Sequence, residues 1–236
     1  MKTEINLAGR VAIRLETKKV RWFRKKILLW YEKGGRHFPW RNKSASNYQL
    51  VIAEVLLQRT KAETIATFFP FFIKQYPSWK SLSSVNKTRL KKDLKPIGLW
   101  KRRSDTLKRL STVMAKRGGR FPRTRGEIEE LPGVGQYIAN AILMFCQGQP
   151  QPLLDVNMAR VLERFFGPRK LADIRYDPYL QKLSREVLPR KRYKEFNWAI
   201  LDFASIICRI DRPACNKCCL ESKCRARSVT DSLKSR

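Results

Sequence analysis

Four cysteines of this 236-residue chain, Cys208, Cys215, Cys218 and Cys224, stand in a C-x6-C-x2-C-x5-C arrangement. Four soft thiolates suit either tetrahedral zinc or a cubane iron–sulfur cluster, and a C-x2-C pair alone does not choose between them. The segment is too short and too polar to form a core, so something must tie it down. Cys146 and Cys219 fall outside the set, and Cys146, in an apolar stretch, reads as a small buried hydrophobe. Two carboxylates have surroundings that suit catalysis. Glu54 is the sole charge in Leu50–Leu57, where burial would favour the protonated form and so make a general acid; the alternative is the polar edge of an amphipathic helix, or an ion pair. Asp155 follows Gln149-Pro150-Gln151-Pro152 and opens a helical stretch through Val161 and Phe165, which suits an N-cap. In Leu131-Pro132-Gly133-Val134-Gly135, two glycines allow a tight turn that presents bare N–H groups at a helix N-terminus, a seat for phosphate; the alternative is a simple turn between helices.

The elements that must position these residues read as helices. Trp22, Ile27, Leu28, Trp30 and Tyr31, then Val51, Ile52, Val55 and Leu56, then Ile138, Ala141, Ile142 and Phe145 recur at three- and four-residue spacing, and alternation of the strand type is rare. Ser46-x-x-Gln49 resembles a capping box at the start of the Glu54 helix. An acidic helix ends near Glu130, another starts at Gln136, and a third runs from Phe196 to Ile207 ahead of the cysteines. Short Gly- or Pro-bearing breaks separate about ten such segments, so the expected fold class is all-α with compact connections.

Composition narrows the partner. With 51 Lys and Arg against 20 Asp and Glu, the net charge is +31, far beyond what solubility needs, and a polyanion is expected. The apolar runs Leu50–Leu57 and Phe68–Ile73 fall well short of the roughly 20 residues of a membrane span, and Lys2, Glu4 and Arg10 interrupt any signal-peptide pattern. The expectation is therefore nucleic acid and no membrane. Clustered cysteines without a secretion signal point to a reducing compartment, the cytoplasm or the chromosome. Arg209, Arg212, Lys217, Lys223, Arg225 and Arg227 surround the thiols, more cations than four thiolates require, which makes phosphate contact by this loop the expectation.

Taken together, these motifs resemble the helix-hairpin-helix DNA glycosylases, the superfamily of endonuclease III, the A/G-mismatch adenine glycosylases and the archaeal thymine glycosylases of T:G mismatches. Leu131–Gly135 is similar to the family's L-P-G-V-G hairpin. Glu54-Val-Leu-Leu-Gln58-Arg59-Thr60 resembles the E-V-M-L-Q-Q-T stretch of the adenine enzymes, and Leu154-Asp155-Val156-Asn157-Met158-Ala159-Arg160-Val161 the family's L-D-x-N-x-x-R-V. The cysteine spacing is that of its 4Fe-4S loop. The likeness spans roughly residues 20 to 226. It implies a six-helix barrel (46–147) with the hairpin, and a second helical domain (1–45 and 148–207). A 4Fe-4S loop (208–224) and a C-terminal tail (225–236) follow, and DNA lies across the cleft between the domains. It implies Glu54 and Asp155 as catalytic carboxylates and Cys208, Cys215, Cys218 and Cys224 as cluster ligands. Gln58, Arg59 and Leu99 are implied as residues entering or contacting DNA, with Leu99 otherwise a helix-end core residue. Gly133, Val134, Gly135, Lys217 and Lys223 are implied as backbone contacts.

Two positions past Gly135, endonuclease III-type enzymes carry a lysine that forms a Schiff base and cuts the strand, and adenine glycosylases commonly a serine. Here it is Tyr137, as in the archaeal thymine enzymes, unless that ring is simply core packing. Only twelve residues follow Cys224, too few for the C-terminal domain with which adenine glycosylases read 8-oxoguanine. Gln58-Arg59, by contrast, is intermediate between the Q-Q of adenine enzymes and the R-R of thymine enzymes. The expectation is a monomeric, monofunctional base-excision repair hydrolase acting on double-stranded DNA that contains a mismatch and removing thymine or uracil opposite guanine. The alternatives are adenine excision opposite G or 8-oxoguanine, and a non-catalytic DNA-binding protein.

Overall fold

The computed structural model describes residues 4–227, with side chains from residue 18 onward. Every regular element among them is α-helical or a single 3-10 turn, and none of these helices is long and apolar enough to cross a membrane. The chain divides into two compact units, one spanning His37–Gln149 and the other combining the described residues up to Arg36 with those from Pro150 onward.

The His37–Gln149 unit holds α2 (Asn47–Leu57), α3 (Ala62–Gln75), α4 (Trp79–Ser84), α5 (Lys87–Leu94), α6 (Trp100–Lys116), α7 (Arg125–Glu129) and α8 (Gln136–Gln147). Two of the apolar faces predicted from spacing meet here: Val51, Ile52 and Val55 of α2 and Ile138 and Ile142 of α8 share one core with Phe69 and Phe72 of α3 and Leu107 and Leu110 of α6. Neighbours of α2 include α3, α6 and α8. Residues 37–45, read from the sequence as part of the N-terminal segment, belong to this unit instead. Trp40 is buried, stacks on Phe38 at 4.8 Å and meets Phe69 edge-on at 5.5 Å, so aromatic packing sets the boundary.

The other unit is built from α1 (Glu4–Gly34), α9 (Val156–Phe166), α10 (Pro178–Val187), α11 (Tyr193–Ile206) and the cysteine loop, which contains 3-10 turns at Cys215–Lys217 and Glu221–Lys223. Phe23 of α1 is its hub. The ring is fully buried and lies 4.9 Å from Phe165, 5.2 Å from Phe166 and 6.3 Å from Phe196. An early helix thus closes a core whose remaining walls lie more than a hundred residues later. Of the C-terminal tail read from 225, residues 228–236 lie outside the described residues.

Candidate active site and DNA interface

Helix α2 is buried around most of its circumference, as a helix surrounded by protein must be. Its start is set by Ser46, whose Oγ accepts from the Gln49 N–H at 3.2 Å while Gln49 Oε1 accepts from the Ser46 N–H at 2.9 Å, the capping box expected there. Glu54, two turns in, is only 5% exposed. Val51, Ala53 and Val55, its neighbours along the helix, are core residues of this unit.

The two hairpin glycines are there for different physical reasons. Gly133 has φ +77°, and a Cβ on it would stand 2.2 Å from Cγ2 of Thr106 on α6, so the fold itself demands glycine. Gly135 has φ −99°, and a Cβ there would meet nothing within 4 Å. It is the N-cap of the 12-residue α8 and leaves open space where backbone donors and helix dipole favour an anion. Val134 is buried, and its N–H donates to the Leu131 carbonyl at 3.0 Å, which closes the turn. Tyr137, the second residue of α8, is half-buried with part of its ring packed against the same core as Glu54.

Gln58, the C-cap of α2, and Arg59 are exposed, and Arg59 is left-handed at φ +56°. Leu99, at the start of α6, is 48% exposed with φ +50°. It is therefore not a helix-end core residue: an aliphatic side chain is offered to solvent on a strained backbone.

Asp155 caps α9. Its Oδ1 accepts from the N–H groups of Asn157 at 2.9 Å and Met158 at 2.8 Å, and its Oδ2 from Asn157 Nδ2 at 2.7 Å. Burial pushes this carboxyl above the usual aspartate range, opposed by the Met158 and Asn157 hydrogen bonds and by the Arg160 guanidinium. The approach to the cap is anchored by buried Asn197 of α11, whose Oδ1 accepts from the Leu153 N–H at 2.7 Å and whose Nδ2 donates to the Gln151 carbonyl at 3.1 Å.

Arginines of α9 hold the cysteine loop. Arg160 donates to the carbonyls of Cys208 at 2.8 Å and Ala204 at 2.9 Å, and Arg164 to those of Arg209 at 2.6 Å and Ile210 at 2.8 Å. The Cys224 thiol donates to the Arg164 carbonyl at 3.3 Å, and Cys218 Sγ accepts from the Leu220 N–H at 3.4 Å. Burial pushes the Cys218 thiol up to about 12, with Cys219, Cys208 and Cys224 close enough to add to the rise and the Leu220 N–H opposing it. Burial also raises Cys208, against the pull of Arg164 and Arg160. Cys208, Cys218 and Cys224 therefore lie within electrostatic reach of one another, though among the described residues no three His, Cys, Asp or Glu side chains converge as ligands of one metal ion. Cys219 lies outside this set, its thiol directed to the Lys26 carbonyl at 3.6 Å.

The cations around the loop are not uniformly offered to solvent. Lys223 Nζ lies 5.0 Å from the centre of the Trp22 ring, Arg227 pairs with Glu221 at 3.3 Å, and Arg225 packs over Gly167. Lys217 is exposed. The sequence reading missed the structural duties of Arg103, Arg160, Arg164 and Asn197, because each binds main-chain oxygens, which carry no residue signature. Glu54, Tyr137, Gln58, Arg59, Leu99 and the hairpin all belong to the His37–Gln149 unit, whereas Asp155, Lys217, Lys223 and the four cysteines belong to the other.

Comparison with known proteins identifies relatives along most of the chain. A thymine-DNA glycosylase of Aeropyrum pernix is 34% identical over 215 residues, covering 89% of this chain and 96% of the relative. A thymine/uracil-DNA glycosylase of Pyrobaculum aerophilum is 36% identical over 201 residues, covering 83% and 87%. The human adenine DNA glycosylase matches at 29% identity over 87% of this chain but 39% of its own length. The solved structure of a thermostable thymine-DNA glycosylase superposes with a TM-score of 0.83 at 32% identity, covering 90% of this chain and 98% of that one. Residues 52–195, which include Glu54, the hairpin and Asp155, match the profile of that repair superfamily, and the chain belongs to the HhH-GPD superfamily of base excision DNA repair proteins.

Proposed function

We propose that this protein is a monofunctional DNA glycosylase that extrudes thymine or uracil opposite guanine from double-stranded DNA and hydrolyses its N-glycosidic bond. The observation that carries the reading is Asp155, a desolvated carboxyl held in place by three hydrogen bonds in the family's matched region. Such a fixed anion stabilises positive charge developing on the sugar without reorganising first. Glu54, buried in α2, serves as the acid. The bond from C1′ to the base breaks with its electron pair leaving on the base, a proton from Glu54 neutralises that base, water oxygen joins C1′, and the water proton returns to a carboxylate.

Tyr137 makes the product an abasic site in an intact strand, since a phenol cannot form the imine by which an amine promotes strand cleavage. Gln58 and Leu99 fill the gap left by the extruded nucleotide, and the hairpin at Gly135 takes a phosphate. Support for thymine or uracil as the target comes from the thymine- and thymine/uracil-DNA glycosylases that align along most of their length.

The donor set of four thiols, without imidazole or carboxylate, suits iron–sulfur chemistry, in which each iron takes one thiolate. Cys208, Cys215, Cys218 and Cys224 would hold a 4Fe-4S cluster, which would supply cross-links among the separate turns of the loop. Purified anaerobically, the protein is then expected to be brown, with about four irons per chain; stoichiometric zinc and no colour would overturn this assignment.

A panel of duplexes carrying every mismatch, together with uracil and 8-oxoguanine, tests the function in single turnover. Thymine and uracil opposite guanine should be excised fastest, leaving alkali-labile sites. Faster removal of adenine, or efficient borohydride trapping of the protein on DNA, would overturn the proposal.

A further inference from the structure

Arg103 is an arginine in a place arginine seldom occupies. It lies one turn into α6, is 5% exposed, and its guanidinium is spent entirely on neutral acceptors. Nη1 donates to the Ile97 carbonyl at 3.0 Å and to the Gly98 carbonyl. Nη2 donates to the carbonyls of Leu56 at 3.1 Å and Gln58 at 2.9 Å, and to Thr60 Oγ1 at 2.9 Å. These five acceptors come from two separate segments, the end of α2 with the turn that follows it and the turn before α6. The same two segments carry Gln58 and Leu99, and they contain two of the three non-glycine residues with positive φ among the described residues, Arg59 and Leu99. Thr60 adds a direct link, its hydroxyl donating to the Ile97 carbonyl at 3.5 Å.

Left-handed non-glycine residues persist only where their surroundings over-determine them. A planar guanidinium with a fixed fork of donors can hold several carbonyls in one geometry, whereas a lysine ammonium is a point charge on a flexible stem. Burying a cation among carbonyls without a carboxylate costs desolvation, so a hydrophobic residue would have served better had packing been the only need.

We propose that Arg103 is a positioning residue that clamps the Gln58 and Leu99 turns at a fixed mutual spacing, so that both side chains enter the base stack together when a nucleotide is extruded. The inference rests on the reading of Gln58 and Leu99 as wedges given above. Arg103 touches neither base nor sugar; its effect falls on extrusion and not on bond cleavage.

The test separates those two steps. Extrusion is followed by stopped-flow fluorescence of a base analogue beside a T:G mismatch, and single-turnover excision is measured on T:G duplex and on uracil opposite an abasic site, where no pairing opposes extrusion. Arg103→Lys should slow extrusion and T:G excision about 100-fold, the order expected of an ångström-scale misplacement, while uracil opposite the abasic site is removed at nearly the native rate. Equal slowing on both substrates, or on neither, overturns the clamp. Gln58→Ala and Leu99→Ala are the controls: if both extrude at the native rate, the wedge reading has failed, whereas slow wedge variants beside an unaffected Arg103→Lys defeat the clamp alone. Should Arg103→Lys not fold, Thr60→Val removes one acceptor and the direct link between the turns. It should slow T:G selectively and by less, and the absence of any such selectivity would overturn the proposal.

Discussion

The two carboxylates proposed for catalysis stand at different places on their helices, Glu54 within buried α2 and Asp155 at the N-cap of α9. Glu54 is carried by a helix that is buried around most of its circumference and whose register is set by a capping box eight residues earlier. Asp155 is positioned by hydrogen bonds, both its own to Asn157 and Met158 and the Asn197 bonds that fix the preceding backbone. The burial of α2 comes from its apolar residues and does not depend on the charge of any one side chain. The bonding at Asp155 changes with its charge, because the donors around Asp155 favour its ionised form while burial favours the neutral one. An acid that must keep a proton suits the first setting, and an anion that must meet a transient cation suits the second.

The largest way to break this comparison is to remove the apolar support of the second region. Phe23→Ala should destabilise the protein by about 3–5 kcal/mol, as for a fully buried aromatic, with a lowered melting temperature by circular dichroism. A loss under 1 kcal/mol would mean that the α1–α9–α11 core tolerates the cavity.

Next in size, Asp155→Asn keeps the cap and mismatch binding but removes the anion, and excision should fall by about 100- to 1,000-fold, about 2.7–4 kcal/mol. An unchanged single-turnover rate would reduce Asp155 to a helix cap. In the native protein its folded pKa is raised, so the proton is retained at pH values where the unfolded chain would have lost it. Ionising it in the fold therefore costs stability as pH rises past the ordinary value near about 3.9, while the active carboxylate is lost as pH falls through the raised pKa. The acid limb of the excision rate should lie above that ordinary value, and Asn157→Ala, which removes a donor to the ionised form, should move it higher. A limb at or below the ordinary aspartate value would contradict the burial of the carboxyl.

Smaller effects separate the hairpin glycines. Gly133→Ala should cost at least about 1 kcal/mol of stability from its left-handed backbone alone, read from denaturant midpoints, with more from Thr106. Gly135→Ala should leave stability within about 0.5 kcal/mol yet weaken duplex binding. The reverse pattern would undo the assignment of Gly135 to phosphate.

Smallest of all, Lys217→Ala should reduce the log–log salt slope of duplex binding by about 0.9, one phosphate contact. Lys223→Ala should reduce it less, because its ammonium is already engaged with Trp22. Equal effects would show that the ring does not hold Lys223.

Local signals were legible in the sequence and long-range polar ones were not. Ser46-x-x-Gln49, the Asp155 cap and the glycine hairpin act within three or four residues, so residue types and spacing sufficed. The all-α reading followed for the same reason, from periodicity that tertiary packing then used. Arg160 is legible only as the arginine of the L-D-x-N-x-x-R-V stretch and Arg164 carries no signal at all, because their partners are carbonyls of residues 204–210 on another element. The contact of Lys223 with Trp22 is not legible either, because nothing in the neighbourhood of Lys223 announces a ring two hundred residues away. The segment 37–45 was assigned by its place in the chain, and only the contact of Trp40 with Phe69 shows where it packs.

Thr106, against which Gly133 closes, lies one turn along α6 from Arg103, which holds the Gln58 and Leu99 turns. One stretch of four residues thus serves as the common reference point for the glycine hairpin and for both exposed turns. For protein engineering the implication is concrete: transplanting the hairpin or either turn from a relative with a different base preference should succeed only when residues 103–106 travel with it, whereas side chains at the tips, Gln58 and Leu99 themselves, can be exchanged one at a time.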